Sequence, residues 1–419
     1  MARQVLDRGP PVWALFVAGG FATVASGELP AGLAEAAIAG AGPVLLFLFS
    51  LFLFADGLKD AGALDHVARW LVGRAPRTSE LPVVLFVGFG LASAFLVNDA
   101  LVVIGVPVLL AVASRIGVPP RPLLLTLAFS VTVGSVLTPF GNPQNLLVSI
   151  DSGMRGPATT FLRYLLLPTA VNLVVGAYYL RWRFGRELGG GNVRPSPAPA
   201  KPVPLFPPEG WRERLVRHPV LLVFPLTIIL LITLDVTASV VGGPEVPIWM
   251  TAGAGAVLLL LVSPDRGPIV RRVNWEILLL FAGLFLVVAG VVHGGVVRLA
   301  ESLAPLPGPG HPVEGLGTIV GSSLVGAQLF SNVPWVGLEI PVLVGAGYGP
   351  GTPVAWVALA GASTLAGNVT LLGAASNLIV VDLAERGGVR IDLRTFVRDG
   401  LPLAAITIGV LFVALLVGL

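Results

Sequence analysis

The chain of 419 residues contains no cysteine and only four histidines. Without cysteine there is no disulfide framework and no thiolate metal site. The histidines do not fall at metal-ligand spacing, which argues against a metalloenzyme. Charge is also scarce. Asp, Glu, Lys and Arg together make up 12% of the residues, whereas soluble domains carry roughly 25%. Hydrophobic residues reach 55% and the mean hydropathy is +0.89. No soluble core absorbs so many apolar runs, so the composition specifies a polytopic membrane protein. The net charge of +3 and the pI near 9.7 report loop arginines on the cytoplasmic side, not a nucleic-acid surface. The opening MARQVLDRGPPVW is basic, then apolar, and lacks a small-residue cleavage site, so it reads as a retained first span.

The most informative stretch is residues 138–148, TPFGNPQNLLV, which interrupts an otherwise apolar segment with Pro139, Gly141, Asn142, Pro143, Gln144 and Asn145. Proline has no amide hydrogen and glycine costs helix stability, so a helix must break there. Lipid cannot satisfy the freed backbone groups; the break must face protein or a watery cavity. A second copy, TLLGAASNLIV, occupies residues 370–380, with Thr138 matching Thr370, Gly141 matching Gly373 and Asn145 matching Asn377. Interrupted helices at matching places in two halves point to the substrate site of a secondary transporter.

Along the chain, spans are expected at about residues 12–24, 43–58, 161–180, 220–234, 248–262, 277–292 and 401–417. Residues 66–77 and 385–398 read as basic amphipathic pieces on the inner surface. Two apolar stretches, about 81–112 and 313–344, are too long for one span and too short for two. Polar interruptions at Asn98-Asp99 and Ser331-Asn332 make each a re-entrant hairpin with its tip at mid-membrane. The broken helices cover about 122–150 and 353–381. This divides the chain into a first half (1–180), a basic, proline-rich linker (181–218) and a second half (219–419).

The halves align. Asn98 and Asn332 lie 234 positions apart, as do Pro107 and Pro341; Gly57 and Gly290 lie 233 apart, and Asn145 and Asn377 lie 232 apart. With the linker placed inside, Arg115, Arg121, Arg271, Arg390 and their neighbouring basic residues fall on the same side if both hairpins re-enter without crossing. The first hairpin then opens from the cytoplasm and the second from outside. The expected fold is an all-α polytopic membrane protein of two inverted-topology repeats, each with a re-entrant helical hairpin and a broken transmembrane helix. The N-terminus and the linker are placed in the cytoplasm and the C-terminus outside, in a prokaryotic inner membrane.

Helices starting at the tips aim amide donors and positive dipole ends at the membrane centre. The substrate-binding candidates are Asn98, Asp99, Ser331 and Asn332 at the tips, Gly141, Asn142 and Asn145 in the first break, and Gly373, Ser376 and Asn377 in the second. Freed carbonyls near Asn98/Gly141 and Asn332/Gly373 suit Na⁺, a hard ion; Asp99, Asn98, Thr138, Asn332 and Thr370 are the ion-coupling candidates. The asparagines can equally cap the helices that follow them. Asp99 is a proton carrier, a cation ligand or an N-cap, since an intramembrane carboxylate is costly. Glu339 faces either a cavity or water at the hairpin base.

The hairpins FLVNDALVVIGVPVLL and LFSNVPWVGLEIPVLV, with the loops TPFGNPQNLLV and TLLGAASNLIVV, resemble the ion-transporter superfamily of arsenite permeases, divalent-anion/sodium symporters and one class of sodium/proton antiporters. The likeness runs from about residue 43 to 419 and is nearest the arsenite-permease-like anion transporters. The dicarboxylate branch carries Ser-Asn-Thr at both tips; this chain has Val97-Asn98-Asp99 and Ser331-Asn332-Val333 instead. The resemblance implies a site between tips and breaks, an elevator-like motion and, in several members, a homodimer. The expected function is secondary active transport of a small inorganic anion or arsenite-like solute, coupled to Na⁺ or H⁺ and without a cofactor. Alternatives are a sodium/proton antiporter, a di- or tricarboxylate–sodium symporter and a passive channel. No convergent nucleophile and base supports an enzyme. No nucleotide-binding loop is present, although an external ATPase partner stays open.

Overall fold

The computed structural model describes residues 12–189, 191, 211–264, 266–295, 298, 302 and 305–418, and among them every regular element is helical. The first half contains α1 (Val12–Ala25), α2 (Ala31–Asp60), α3 (Ala63–Arg74), α4 (Leu81–Ser93), α5 (Asn98–Ile116), α6 (Pro120–Gly134), α7 (Pro143–Asp151) and α8 (Pro157–Leu188). Then come α9 (Trp211–Arg217), α10 (Val220–Val236), α11 (Ile248–Val262), α12 (Arg266–Arg272), α13 (Trp275–His293), α14 (Pro312–Phe330), α15 (Asn332–Gly345), α16 (Pro353–Ala366), α17 (Ala375–Arg386) and α18 (Leu393–Val417). Eight of the helical stretches are long and apolar enough to cross a membrane, by length and composition.

The packing repeats when the halves are exchanged. Helix α4 lies on α6 as α14 lies on α16, and α6 lies on α8 as α16 lies on α18. Across the halves, α5 packs on α17 as α15 packs on α7, and α1 packs on α13 as α11 packs on α2. Each hairpin, α4–α5 or α14–α15, therefore touches its own broken helix with both arms and the other half's with its second arm.

Helix α8 shows that the hairpins enter from opposite ends. Near its C-terminus, Arg181 pairs with Glu80 at 2.7 Å and Glu187 with Arg121 at 2.8 Å, which places the base of the first hairpin there. Near its N-terminus, Tyr164 shares a cavity of 270 Å³ with Pro309, Pro312 and Tyr348, at the base of the second hairpin, and with Gly418. The 32 residues between these ends span about 48 Å at 1.5 Å per residue. The repeats are inverted in the fold itself. Most of the arginine clusters of α6, α8 and α18 gather at the first hairpin's end, whereas Arg155 and Arg163 start α8 at the other.

Helices α6 and α16 form the centre. From Leu123 to Gly134 and from Val354 to Ala366 every residue is buried, as expected of helices apolar on all sides. Helix α4 approaches α6 so closely that a Cβ at Gly134 would lie 1.9 Å from the carbonyl oxygen of Gly90. Gly134→Ala must push the two backbones apart. A loss of about 1–3 kcal/mol or more is expected from overpacking, read as a lower denaturation midpoint in detergent; an unchanged midpoint would show that the two helices do not touch here.

Several boundaries differ from the sequence reading. The second span begins at Ala31, not near residue 43, because residues 31–42 are rich in alanine, the best helix former, and Pro43 is carried inside the helix. Helix α8 continues eight residues beyond residue 180 into the expected linker. Arg181 and Arg183 both find carboxylates there, Arg183 reaching Asp399 at 2.7 Å. The proline-rich middle of that linker lies outside the described residues, and residues 211–217 form α9. The basic piece at 385–398 is split between the end of α17 and the first turns of α18, whose N-cap Asp392 accepts from Thr395 N at 2.6 Å. Helix α8 has no cap of its own: the Asp235 carboxylate of α10 accepts from Ala158 N at 2.9 Å and Thr159 N at 2.7 Å.

Candidate functional site

The first hairpin turns at residues 94–97 and the second at Ser331, which is the one non-glycine residue with positive φ (66°) among those described. Asn98 and Asn332 open the second arms. Each turns its Oδ1 to the next backbone amide, Asn98 to Asp99 N and Asn332 to Val333 N, both at 2.9 Å. These contacts occupy the amide oxygens, although the N-cap positions are Val97 and Ser331 and neither makes a side-chain cap. Neither Nδ2 has a hydrogen-bond partner among the described residues, although both side chains are 3% exposed. These two donors are what the tips can offer to a ligand.

Each tip docks on the break of its own half. Asn98 N donates to Gly141 O at 3.1 Å, and the Thr138 hydroxyl donates to Ala94 O. In the second half, Thr370 Oγ1 donates to Gln328 Oε1 at 2.8 Å, and Gln328 Nε2 donates to Ala366 O at 2.8 Å. Ala94 and Gln328 lie 234 positions apart, the offset of the two tips. The matched threonines thus anchor to matched positions, once through main chain and once through a side chain.

The breaks themselves are held by Asn145 and Asn377. Asn145 Nδ2 donates to Ser135 O at 2.9 Å and Thr138 O at 3.0 Å. Asn377 Nδ2 donates to Gly367 O at 2.7 Å and Thr370 O at 3.3 Å, the equivalent carbonyls. Helix termini leave backbone carbonyls without partners, and these amides supply the missing donors where water cannot. Both asparagine nitrogens are consumed in doing so.

The two breaks are then unequal. In the first, Asn142 Oδ1 accepts from Asn145 N at 2.9 Å as the N-cap of α7. Asn142 Nδ2 and Gln144 Nε2 reach across to Thr364 Oγ1 at 3.2 and 3.0 Å, and Asn145 Oδ1 sits 3.3 Å from the same hydroxyl. In the second, Ala374 stands at the place of Asn142 and Ser376 at that of Gln144. Ser376 Oγ and Asn377 Oδ1 are buried without a partner, as is Asn368 Oδ1. The first break retains one such oxygen, Gln144 Oε1.

Asp99 follows Asn98 at the tip. It is 7% exposed and has no ion-pair or side-chain hydrogen-bond partner among the described residues. Glu339 does not reach water at the hairpin base: it is 6% exposed and accepts from Ser322 Oγ of the opposite arm at 3.0 Å. Ser331 Oγ lies 3.5 Å from Asn332 Oδ1. Three hydrogen bonds, Asn98 N to Gly141 O, Asn142 Nδ2 to Thr364 Oγ1 and Gln328 Nε2 to Ala366 O, joined by short stretches of backbone, link the tip of one hairpin to the last turn before the other. Sequence reasoning missed Thr364 and Gln328. Both carried a signal: Thr364 lies 232 positions after Thr132, and Gln328 is the one amide side chain in its apolar arm.

A family model described as a citrate transporter, CitMHS, matches residues 5–366. An uncharacterised transporter of Mycobacterium tuberculosis is 28% identical over 375 residues, covering 87% of this chain and 83% of that protein. A silicon efflux transporter of rice, Oryza sativa subsp. japonica, is 27% identical over 392 residues, covering 82% of this chain and 79% of its own length. Among solved structures, the YdaH transporter of Alcanivorax borkumensis superimposes with a TM-score of 0.58 at 18% identity, covering 90% of this chain and 85% of that one. That last likeness concerns fold alone.

Proposed function

The chain belongs to the citrate transporter family, CitMHS, and from that premise we propose that it is a secondary active transporter working by alternating access and coupled to Na⁺ or H⁺. The cargo we propose is a small inorganic anion or an arsenite-like solute. The observation that carries this is the pair of uncommitted amide donors, Asn98 Nδ2 and Asn332 Nδ2, beside two unwound loops. Among the described residues the buried charged groups are Asp99, Asp235, Glu339 and Asp399, with no lysine or arginine. A site with amides and a carboxylate but no fixed cation favours an uncharged or weakly charged solute. The rice relative that exports silicon carries the same kind of reading.

The coupling ion is itself cargo. A Na⁺ ion would find oxygen donors in Ser376 and Asn377 near Gly373, and Asp99 would supply the charge that ties ion to solute. We place the protein in a prokaryotic inner membrane with the arginine-rich end of α8 in the cytoplasm and the C-terminus outside. The family description favours a second cargo, citrate, whose charge would have to be met by helix N-termini and a co-bound cation.

Proteoliposome uptake decides between them. Arsenite, silicic acid and citrate are offered in parallel, with and without Na⁺ or proton gradients. Arsenite or silicic acid is expected to accumulate, and only with a gradient. Asn98→Ala and Asn332→Ala should each lower that uptake about tenfold to a hundredfold, the cost of a lost hydrogen bond in a dry site, with denaturation midpoints near wild type. Normal uptake by both variants would refute the site, and citrate accumulation alone would replace the proposed cargo.

A further inference from the structure

At the C-terminal end of α8 a cleft of 690 Å³ opens between that helix and the start of α18. Its lining includes Tyr179, Trp182, Arg183, Arg186, Arg398 and Pro402. We propose that this cleft binds the phosphate group of an anionic membrane phospholipid. The proposal is independent of the transport reading, because the cleft is remote from both hairpin tips.

The charge in the cleft is not spent internally. Arg183 is neutralised: its Nε and Nη2 both lie 2.7 Å from Asp399 Oδ1, and Tyr179 Oη donates to Asp399 O at 3.0 Å, which fixes the floor. Glu187, the one acid on the rim, is paired with Arg121 at 2.8 Å. Arg186 and Arg398 form no salt bridge among the described residues. Two guanidiniums at one opening suit a phosphodiester, which accepts bidentate hydrogen bonds from each.

The cleft also straddles the boundary between apolar and polar surface. The exposed apolar face of α8 runs through Leu167, Val171 and Val174 and ends at Trp182, which is 75% exposed. On α18 Arg398 stands just before the exposed run of Leu401, Ile406 and Val413, with Leu393 exposed in the first turn. Tryptophan concentrates at the headgroup level of a bilayer, so Trp182 marks that level. Acyl chains would lie along the apolar faces while the headgroup phosphate reaches Arg186 and Arg398. A free anion would use the arginines and leave the apolar walls unused. Basic pockets between membrane helices are known to take lipid headgroups in this way.

The test uses full-length protein released from detergent in native mass spectrometry, titrated with phosphatidylglycerol, phosphatidylcholine or inorganic phosphate. The wild type is expected to retain one phosphatidylglycerol per chain in preference to phosphatidylcholine. The double variant Arg186→Gln, Arg398→Gln should weaken that retention roughly 30-fold, as two lost basic contacts imply. Arg271→Gln with Arg390→Gln, which removes the same charge from exposed positions elsewhere, should change it by no more than about twofold on the same reasoning. Should the double variant fail to fold, Arg398→Gln alone and Trp182→Ala are each expected to weaken retention by about fivefold. Equal retention by wild type and variants overturns the proposal. So does displacement of the lipid by inorganic phosphate at equal concentration, which would mark a free-anion site, or equal retention of phosphatidylcholine, which would mark ordinary boundary lipid.

Discussion

Asn145→Ala is expected to cost about 2–6 kcal/mol of stability, enough to remove much of the folded population. Its Nδ2 holds Ser135 O and Thr138 O at 2.9 and 3.0 Å, and all three residues are buried. Removing the amide leaves Ser135 O with only the long contact to Asn142 Nδ2 and Thr138 O with only that to the Gly141 amide, both at 3.4 Å, at about 1–3 kcal/mol each. A typical domain has a margin of only about 5–15 kcal/mol. The loss is read as a lower denaturation midpoint and a broadened elution profile in detergent. Asn145→Asp keeps the oxygen but surrenders the donor, and should fall almost as far. Asn377→Ala should do the same in the second half through Gly367 O and Thr370 O. A stable Asn145→Ala protein that had lost only transport would return this residue to the ligand shell.

Asp99→Asn carries the opposite expectation: an intact fold and a lost gradient. The substitution keeps the size of a side chain that has no hydrogen-bonding side-chain partner among the described residues, so little packing changes. Removing the one carboxylate at the first tip should reduce ion-driven accumulation to the level of empty liposomes, a fall of more than about tenfold if the intramembrane charge is functional. Solute exchange between equal concentrations inside and out should persist, because Asn98 and Asn332 are untouched. A pH-sensitive dye inside the liposomes reports whether protons accompany the solute in the wild type. Undiminished accumulation in Asp99→Asn would remove this carboxylate from coupling.

The parts of the fold legible in the sequence were those where polar residues break apolar runs. Asn98-Asp99, Ser331-Asn332 and the two glycine-bearing loops can sit inside a membrane only as hairpin tips and helix breaks, and near-constant offsets tied them into a repeat. Helix ends were harder to read. The alanine-rich start of α2 carries little hydrophobic signal, and the last turns of α8 look like a charged linker until Glu80 and Asp399 are seen to receive their arginines. The candidate positions could be named from the sequence, but not how their polar atoms are used in the fold. Nothing in two matching asparagines says that Asn145 and Asn377 spend their nitrogens on backbone while Asn98 and Asn332 keep theirs. That depends on where Ser135 O and Gly367 O point, which only the folded chain determines. Likewise the gathering of Asn142 and Gln144 around Thr364 joins residues more than two hundred positions apart.

The unlike anchoring of the matched threonines makes the two breaks mechanically unequal. The first is tied to a carbonyl of the main chain, at Ala94, so only the threonine's own rotation releases it. The second is latched to the end of a glutamine side chain, which lets go by rotating its own bonds while the helix beneath stays whole. Side chains change rotamer in nanoseconds or less where they are free to move, whereas loops take longer. A polypeptide built from two nearly equivalent halves has in this way acquired one anchor with a single rotatable partner and one with two.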